Sequence, residues 1–274
     1  MLRELDIARV AALAGGRRVA ARLGDLGRVR TKGSPTDYVT DVDIDAGVAV
    51  LRAIAEETKG ARFVVEEREV YDLADASEGS LGDSEVWVVD PLDGTTSFMH
   101  GFPCYSVSVA LLRDGEPVVG AVYNVPSDEL ASGAVGQGAW LGDRTVRCSD
   151  THDLREALLV TGFPYDRTRT LDRQLDVLAR FLRTPVQGIR RDGSAANDCV
   201  HVAAGRADGF WEFGLQPWDT AAGAIICREA GAHISGIDGE PWSATSYGVI
   251  AANPVLHARM LELIQSSDMG DSDR

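Results

Sequence analysis

Residues 87–98 join an apolar run to an acidic turn and are the most informative segment of the sequence. Val86–Val89 is a short apolar, β-branched run, which predicts a buried strand ending at Asp90. Pro91 forces the chain to turn there, so that Asp93 can return to the same point in space as Asp90. The segment therefore predicts two carboxylates side by side at the end of a buried strand.

The residues that follow this turn suit an anion. Gly94 permits an unusual backbone angle, and the hydroxyls and N–H groups of residues 95–97 stand at a possible helix start, which is typical of a phosphate cradle. Asp90 and Asp93 would repel such an anion unless a divalent cation lay between them. Hard oxygen ligands with open positions favour Mg²⁺ or Mn²⁺.

Two further acidic positions fit the same scheme. Glu66–Glu67 follows the apolar strand predicted at Arg62–Val65, and Asp219 precedes a helix predicted from Thr220 to Ala230. All three acidic segments have a plainer interpretation: a solvated strand end for the glutamates, a helix N-cap for Asp219, and an Asx–Gly turn for residues 90–94. Spacing alone does not bring the three segments together.

The net charge and the composition argue against some classes of binding partner. The 274 residues include 27 Lys and Arg against 42 Asp and Glu, a net charge of −15. Such an acidic chain is a poor candidate for binding nucleic acid or an anionic membrane by general electrostatics. The sequence has no signal-peptide pattern, no apolar run near the ~20 residues of a membrane span, and four dispersed cysteines, so we expect a cytoplasmic protein.

The pattern of elements changes along the chain. Helical spacing of apolar residues predicts helices at 2–23 and 41–58. We expect an α+β N-terminal subdomain at 1–147 with most of the acidic candidates, and an α/β C-terminal subdomain at 148–265 with Asp219. The polar residues 266–274 are expected to form a disordered tail.

Three motifs carry a resemblance to a known family. Residues 90–96 match the pattern D-P-[IL]-D-G-T-[TK], residues 218–223 resemble W-D-x-A-[AG]-G, and residues 32–43 resemble the N-terminal loop and helix of the same proteins. The chain thus resembles the inositol monophosphatase family, within the lithium-sensitive, magnesium-dependent phosphatases, from about residue 5 to residue 263. The resemblance implies a layered α-β-α-β-α sandwich of the inositol monophosphatase and fructose-1,6-bisphosphatase type, and a homodimer.

The resemblance also implies roles for individual residues. Two to three Mg²⁺ ions, with Mn²⁺ as a possible substitute, would be held by Glu66, Asp90, the Leu92 carbonyl, Asp93 and Asp219. Residues matching those that face the phosphate or the polyol are Asp93, Gly94, Thr95, Gly193, Ser194, Ala195, Glu212 and Asp219. Asp43 and the Thr95 hydroxyl match the pair that orients the attacking water, and Lys32 matches a lysine of a mobile loop near the site.

The activity implied is hydrolysis of a small phosphorylated polyol by water attacking phosphorus in line, without a phosphoenzyme, and inositol 1-phosphate is the first expectation. Histidinol-phosphate phosphatase, fructose-1,6-bisphosphatase and 3′-phosphonucleotide phosphatase remain alternatives of the same superfamily. A non-enzymatic alternative is a protein-interaction partner of the transcription machinery.

Other motifs give only weak support to other functions. A haloacid-dehalogenase-type phosphatase needs two aspartates two residues apart, whereas Asp90 and Asp93 are three apart. The glycines at 133, 136 and 138 stand in the wrong order for a dinucleotide loop. Arg190 and Arg191 are expected to form surface ion pairs, with a second phosphate on a larger substrate as the alternative.

Overall fold

The computed structural model describes residues 2–32, 35–164 and 170–266. The predicted tail, apart from Ser266, lies outside these ranges. In this part of the chain, no helix combines the length and apolar character needed to cross a membrane.

Eight helices, α1 to α8, are found in the described residues: Leu2–Ala21, Asp41–Glu57, Glu69–Ala74, Thr95–Met99, Leu171–Arg183, Ala195–Ala203, Pro217–Glu229 and Pro254–Gln265. Strands β1 to β10 span Val29–Thr31, Tyr38–Thr40, Arg62–Val65, Ser77–Glu78, Glu85–Asp93, Ser106–Arg113, Glu116–Asn124, Glu129–Ala134, Gly138–Leu141 and Arg144–Val146. Strands β11 to β15 span Leu158–Thr161, Gly188–Arg190, Gly209–Phe213, His233–Gly236 and Gly248–Ala252.

The strands form two main sheets and one small hairpin. The larger sheet has the order β10-β9-β8-β7-β6-β5-β3-β4, the smaller has the order β12-β11-β13-β15-β14, and β1 pairs with β2 alone. Helices α1 and α2 cover one face of the larger sheet, α6 and α7 lie between the sheets, and α8 covers the outer face of the smaller sheet beside α5. The predicted α-β-α-β-α sandwich is therefore confirmed.

The apolar periodicity of the sequence explains the outer helix layer. In α2, Ile44, Leu51 and Ile54 are buried on one face against the larger sheet, as their helical spacing predicts. The helix begins after Thr40, whose hydroxyl accepts the Val42 backbone N–H at 3.1 Å and so caps the first turn. The helices predicted at 2–23 and 41–58 are thus found with ends shifted by one or two residues, at Ala21 and Glu57.

The pairing of β5 with β6 is interrupted where the acidic turn begins. Asp90 lies opposite Ser108 and Asp93 lies opposite Ser106, so three steps along β5 match two along β6. Side chains alternate between the faces of a strand, and residues three apart would normally point to opposite sides. The β-bulge at Pro91–Leu92 removes this alternation.

The middle layer packs closely on the larger sheet at one glycine. A Cβ on Gly120 of β7 would lie 2.6 Å from the Ala222 carbonyl oxygen and 2.6 Å from Ile225 Cγ2, both on α7. Because the carbonyl belongs to a helix backbone, it cannot turn aside as a flexible side chain would. Gly120 therefore sets the distance between α7 and the sheet.

We predict that Gly120→Ala lowers the free energy of unfolding by about 1–3 kcal/mol, since the added methyl group forces α7 away from β7. Urea unfolding measures the change. Gly82→Ala is the matched control, because a Cβ there would meet only Ser80 Oγ, at 3.7 Å. Equal unfolding midpoints for the two variants would show that the gap at Gly120 is not tight.

Candidate active site

One cavity gathers acidic side chains from three separate segments of the chain. Glu66, Asp90, Asp93 and Asp219 all line it. The same wall contains Leu92, Gly94 and Thr95 from the turn after β5. The three segments that spacing alone could not unite therefore meet in the folded protein.

Strand pairing places Glu66 beside Asp90. Strands β3 and β5 are parallel with Val65 opposite Val89, and the Glu66 backbone N–H donates to the Val89 carbonyl at 3.3 Å. Each carboxylate thus stands at the same end of a neighbouring strand. Asp90 Oδ1 accepts the Leu92 N–H at 3.0 Å, a bond that closes the turn around Pro91.

Asp219 lies inside helix α7. The helix begins at Pro217, two residues before Asp219, so the predicted helix start at Thr220 is wrong. Proline suits the first helical position because its missing N–H has no partner there. Asp219 Oδ2 accepts the Gln216 backbone N–H at 2.7 Å, which stabilises this first turn.

Asp93 connects the acidic turn to the second half of the chain. Its Oδ2 accepts the Ser194 hydroxyl at 2.7 Å and the Ala196 backbone N–H at 2.8 Å, both at the start of α6. Ser194 Oγ also lies 3.1 Å from Ser106 Oγ on β6. Burial raises the pKa of Asp93 to about 6, although the bonds from Ser194 and Ala196 oppose the shift.

Burial and, after it, mutual repulsion govern the electrostatics of the cavity. Burial, and then the charges of Glu66, Asp93 and Asp219, raise the pKa of Asp90 well above its usual range. Burial, followed by the charge of Asp93, does the same to Asp219. A cluster of this kind favours either bound protons or a bound cation.

Lys32 supplies a positive charge at the edge of the cluster. Its Nζ lies 2.6 Å from Glu66 Oε1 and also contacts Glu67. Burial opposes the charge on Lys32, but the two glutamates outweigh it and raise the pKa of the ammonium. Burial together with the Glu66 charge raises the pKa of Glu67 to about 7. Gly33 and Ser34, next along this segment, lie outside the described residues.

The donor chemistry of the cluster fits a divalent cation. Carboxylate oxygens and the Leu92 carbonyl are the hard ligands that Mg²⁺ prefers. In the described residues, however, no three His, Cys, Asp or Glu side chains are arranged to hold a metal ion as they stand. Lys32 bonds to Glu66 Oε1, so a metal ion at Glu66 would share the carboxylate with this ion pair or compete with it.

A second pair of side chains lies beside the turn. The Thr95 hydroxyl donates to Asp43 Oδ1 at 2.8 Å. Asp43 Oδ2 accepts the Thr40 backbone N–H at 2.8 Å and the Thr40 hydroxyl at 2.5 Å. Burial raises the pKa of Asp43 to about 6 in spite of these bonds. Thr40 and Asp43 thus form a capping box at the start of α2.

The start of α4 requires glycine at position 94. Gly94 has φ of 93°, and a Cβ there would lie 2.8 Å from the Cys104 carbonyl oxygen and 3.0 Å from that of Gly193. No other residue fits between these two backbones. The tight approach brings the turn after β5 against the loop that precedes α6.

The opposite wall of the cavity comes from the second half of the chain. Gly193, Ala195 and Glu212 line it, whereas Ser194 is buried and caps α6 through a bond from the Asn197 N–H at 3.4 Å. Burial, followed by the charge of Asp93, raises the pKa of Glu212 to about 8.

Several lining residues were absent from the predicted site. Tyr38, Phe163, Leu215 and Arg191 also face the cavity. Phe163 follows the end of β11, and residues at the carboxyl ends of strands are a usable sequence signal for a site. Neither Arg190 nor Arg191 forms an ion pair within the described residues, so the surface ion pairs expected for them are not found.

We predict that Glu212→Gln changes how stability depends on pH. A buried carboxyl with a raised pKa stabilises the fold below its unfolded pKa near 4.5, and this contribution is lost as pH rises toward 8. The variant should match the wild type near pH 4.5 and be more stable at pH 9, as measured by urea unfolding with a chelator present. Glu56→Gln, on the exposed face of α2, is the control and should not alter the profile. Parallel profiles for wild type and Glu212→Gln would mean that folding does not raise the pKa of Glu212.

The comparison with known proteins agrees with this geometry. Residues 1–269 match the model of the inositol monophosphatase family. An inositol-1-monophosphatase of Synechocystis sp. is 38% identical, with 96% of this chain and 89% of the relative covered. A putative Nus factor SuhB of Neisseria meningitidis serogroup B is 37% identical, with 96% and 98% covered.

A solved structure shares the fold. The inositol monophosphatase of Anabaena (Nostoc) sp. superposes with a TM-score of 0.83 at 36% identity, over 96% of this chain and 95% of that one. With a family match along nearly the whole chain and relatives of this identity, the protein belongs to the inositol monophosphatase family.

Proposed function

We propose that the protein is a Mg²⁺-dependent phosphate-monoester hydrolase that acts on a small phosphorylated polyol, in the first place inositol 1-phosphate. Membership of the inositol monophosphatase family supports a phosphatase. The observation that carries the proposal is the meeting of Glu66, Asp90, Asp93 and Asp219 in one cavity, next to the start of α4.

The acidic cluster would hold the metal. Glu66, Asp90, the Leu92 carbonyl, Asp93 and Asp219 are the groups that we assign to two or three Mg²⁺ ions. When bound, Mg²⁺ supplies positive charge that stabilises the phosphate oxygens in the transition state and lowers the pKa of a water molecule. Large electrostatic stabilisation of the transition state is needed, because the uncatalysed hydrolysis of phosphate monoesters is among the slowest known.

Asp43 and Thr95 would accept and relay the proton of the attacking water. Because the Thr95 hydroxyl donates to Asp43, its lone pairs are left to accept a hydrogen bond from water. A proton can then pass from water to Thr95 Oγ1 while the Thr95 proton moves to Asp43. With its pKa raised to about 6, Asp43 is a stronger base than an ordinary aspartate and is still ionised at neutral pH.

The second half of the chain would bind the rest of the substrate. We assign the Gly94 and Thr95 amides to the phosphate and Glu212, Gly193 and Ala195 to the polyol hydroxyls. Ser194, buried and bonded to Asp93, would act on the substrate side mainly by positioning that carboxylate.

We predict that Asp90→Asn lowers phosphate release by about 10²-fold or more, since the cluster loses one charge at its centre. Release is measured with Mg²⁺ from inositol 1-phosphate, histidinol phosphate, fructose 1,6-bisphosphate and 3′-phosphoadenosine 5′-phosphate. Folding should be retained, because the change removes a carboxylate that its neighbours repel. Asp143→Asn, on the exposed turn between β9 and β10, is the control. Near-normal turnover by Asp90→Asn would refute the assignment.

A second candidate function is a protein–protein role in transcription. It is favoured by the name of the Neisseria meningitidis relative, a putative Nus factor. Wild type and Asp90→Asn are each immobilised and exposed to purified bacterial RNA polymerase. We predict no retention by either protein. Equal retention by both, with no phosphate released from any ester, would replace the hydrolase proposal.

A further inference from the structure

The carboxylate of Glu212 lies in the cavity wall without a hydrogen-bond partner. Among the residues that the structure describes, no N–H or O–H group donates to it. The side chain is nevertheless only 8% exposed. A buried carboxylate is normally held by donors, as Asp93 is held by Ser194 and Ala196. Packing, rather than hydrogen bonding, therefore sets the position of Glu212.

The surface against which this carboxylate packs is Gly162, the residue directly after β11. A Cβ on Gly162 would lie 2.1 Å from Glu212 Oε1, 2.2 Å from Oε2 and 2.3 Å from Cδ. The carboxylate thus occupies the volume that a side chain at position 162 would fill. Gly162 is buried and does not line the cavity, whereas Glu212 does. The glutamate therefore lies between Gly162 and the cavity.

Strand pairing brings the two residues together. Strands β11 and β13 are parallel with Thr161 opposite Trp211, and the same register continued by one residue sets Gly162 beside Glu212. The Thr161 hydroxyl donates to the Trp211 carbonyl at 2.7 Å and so joins the two strand ends. The contact between Gly162 and Glu212 is therefore fixed by the smaller sheet.

A buried glutamine of α5 holds the Gly162 peptide in place. Gln174 is fully buried, and its Nε2 donates to the Gly162 carbonyl at 2.7 Å and to the Thr161 hydroxyl at 3.3 Å. Gly162 does not have a positive φ, so its backbone conformation is open to other residues. The space needed by Glu212, and not the backbone, is thus what requires glycine at this position.

We propose that Gly162 is a specificity-determining residue, which positions the Glu212 carboxylate clear of the substrate so that it can accept hydrogen bonds from the hydroxyl groups of a polyol. The inference deepens the function proposed above and rests on it. Because no group of the protein donates to this carboxylate, its lone pairs are left for donors of a ligand. A side chain at position 162 would push the carboxylate toward the cavity, into the volume that a polyol would occupy.

The test compares kcat and KM for two esters in wild type and Gly162→Ala. The esters are inositol 1-phosphate and p-nitrophenyl phosphate, whose alcohol has no further hydroxyl group to offer Glu212. Gly162→Ala should raise KM for inositol 1-phosphate by about 10- to 100-fold and leave its kcat unchanged, because hydrogen bonds to a carboxylate are lost from binding alone. Neither constant should change for p-nitrophenyl phosphate.

Gly236→Ala is the matched control. A Cβ on Gly236 would lie 1.7 Å from Glu240 Oε1, so this variant also displaces a glutamate carboxylate. Glu240 is exposed and does not line the cavity, and the constants for both esters should stay at their wild-type values. In each variant the displaced group is the end of a flexible side chain, so folding should be retained.

A double-mutant cycle shows whether Gly162 acts through Glu212. Glu212→Ala removes the carboxylate, so in that background Gly162→Ala should cause no further rise in KM for inositol 1-phosphate. Additive losses would overturn the inference, since the methyl group would then act on another part of the site. Equal losses on both esters, or an unchanged KM for inositol 1-phosphate, would overturn it as well.

Two measurements without turnover distinguish failure of the inference from failure of the proposed function. A crystal structure of Gly162→Ala should show the Glu212 carboxylate moved by about 1 Å or more, since non-bonded heavy atoms lie about 3.5 Å apart. Inositol 1-phosphate is also titrated calorimetrically with Mg²⁺ into Asp90→Asn and into Asp90→Asn/Gly162→Ala.

Weaker binding by the double variant supports the role of Gly162 even if wild type hydrolyses no ester, a result that would refute the hydrolase alone. Equal binding, or a carboxylate that has not moved, refutes the role of Gly162 whatever the turnover.

Discussion

The bulge in β5 is the constraint on which the site depends. Without it, Asp90 and Asp93 would point to opposite faces of the larger sheet, and one of them would enter the core under α1 and α2. Pro91 and Leu92 take up the extra step, so that both carboxylates reach the same cavity. The bulge also directs the chain into Gly94, whose positive φ starts α4 against the opposite half of the molecule.

Asp93 then ties the larger sheet to the middle helix layer. Its bonds to Ser194 and Ala196 join the end of β5 to the start of α6, directly over an apolar cluster shared by both sheets. That cluster includes Val88 of the larger sheet, Phe210 of the smaller one and much of α6 and α7. A buried carboxylate in a stable fold needs such partners, because its desolvation is costly. The residue that we assign to a metal therefore also helps to hold the middle layer in place.

Much of the fold and part of the site could be predicted from local patterns. The apolar periods predicted α2 and the strands at Arg62–Val65 and Val86–Val89, because each pattern reports burial on one face. The Asp–Pro–x–Asp–Gly order predicted the turn after β5. The start of α7 was placed wrongly, since proline at a first helical position resembles a helix breaker unless its neighbours are seen.

Arg191 shows what local patterns cannot reveal. Whether an arginine pairs depends on which of the 42 acids the tertiary fold brings within reach, and a chain with so many acids favours the expectation of an ion pair. Phe163 and Leu215 likewise reach the cavity only because β11 and β13 lie side by side in the smaller sheet. Contacts between segments so far apart in sequence are absent from any short window.

The Lys32 ammonium, bonded to Glu66 and Glu67, gives the acidic edge an internal counter-ion. A chain that carries its own counter-ion can complete its fold before a divalent ion is available. Folding of this acidic edge would then not require a divalent ion, and the ions that we propose for turnover could bind afterwards.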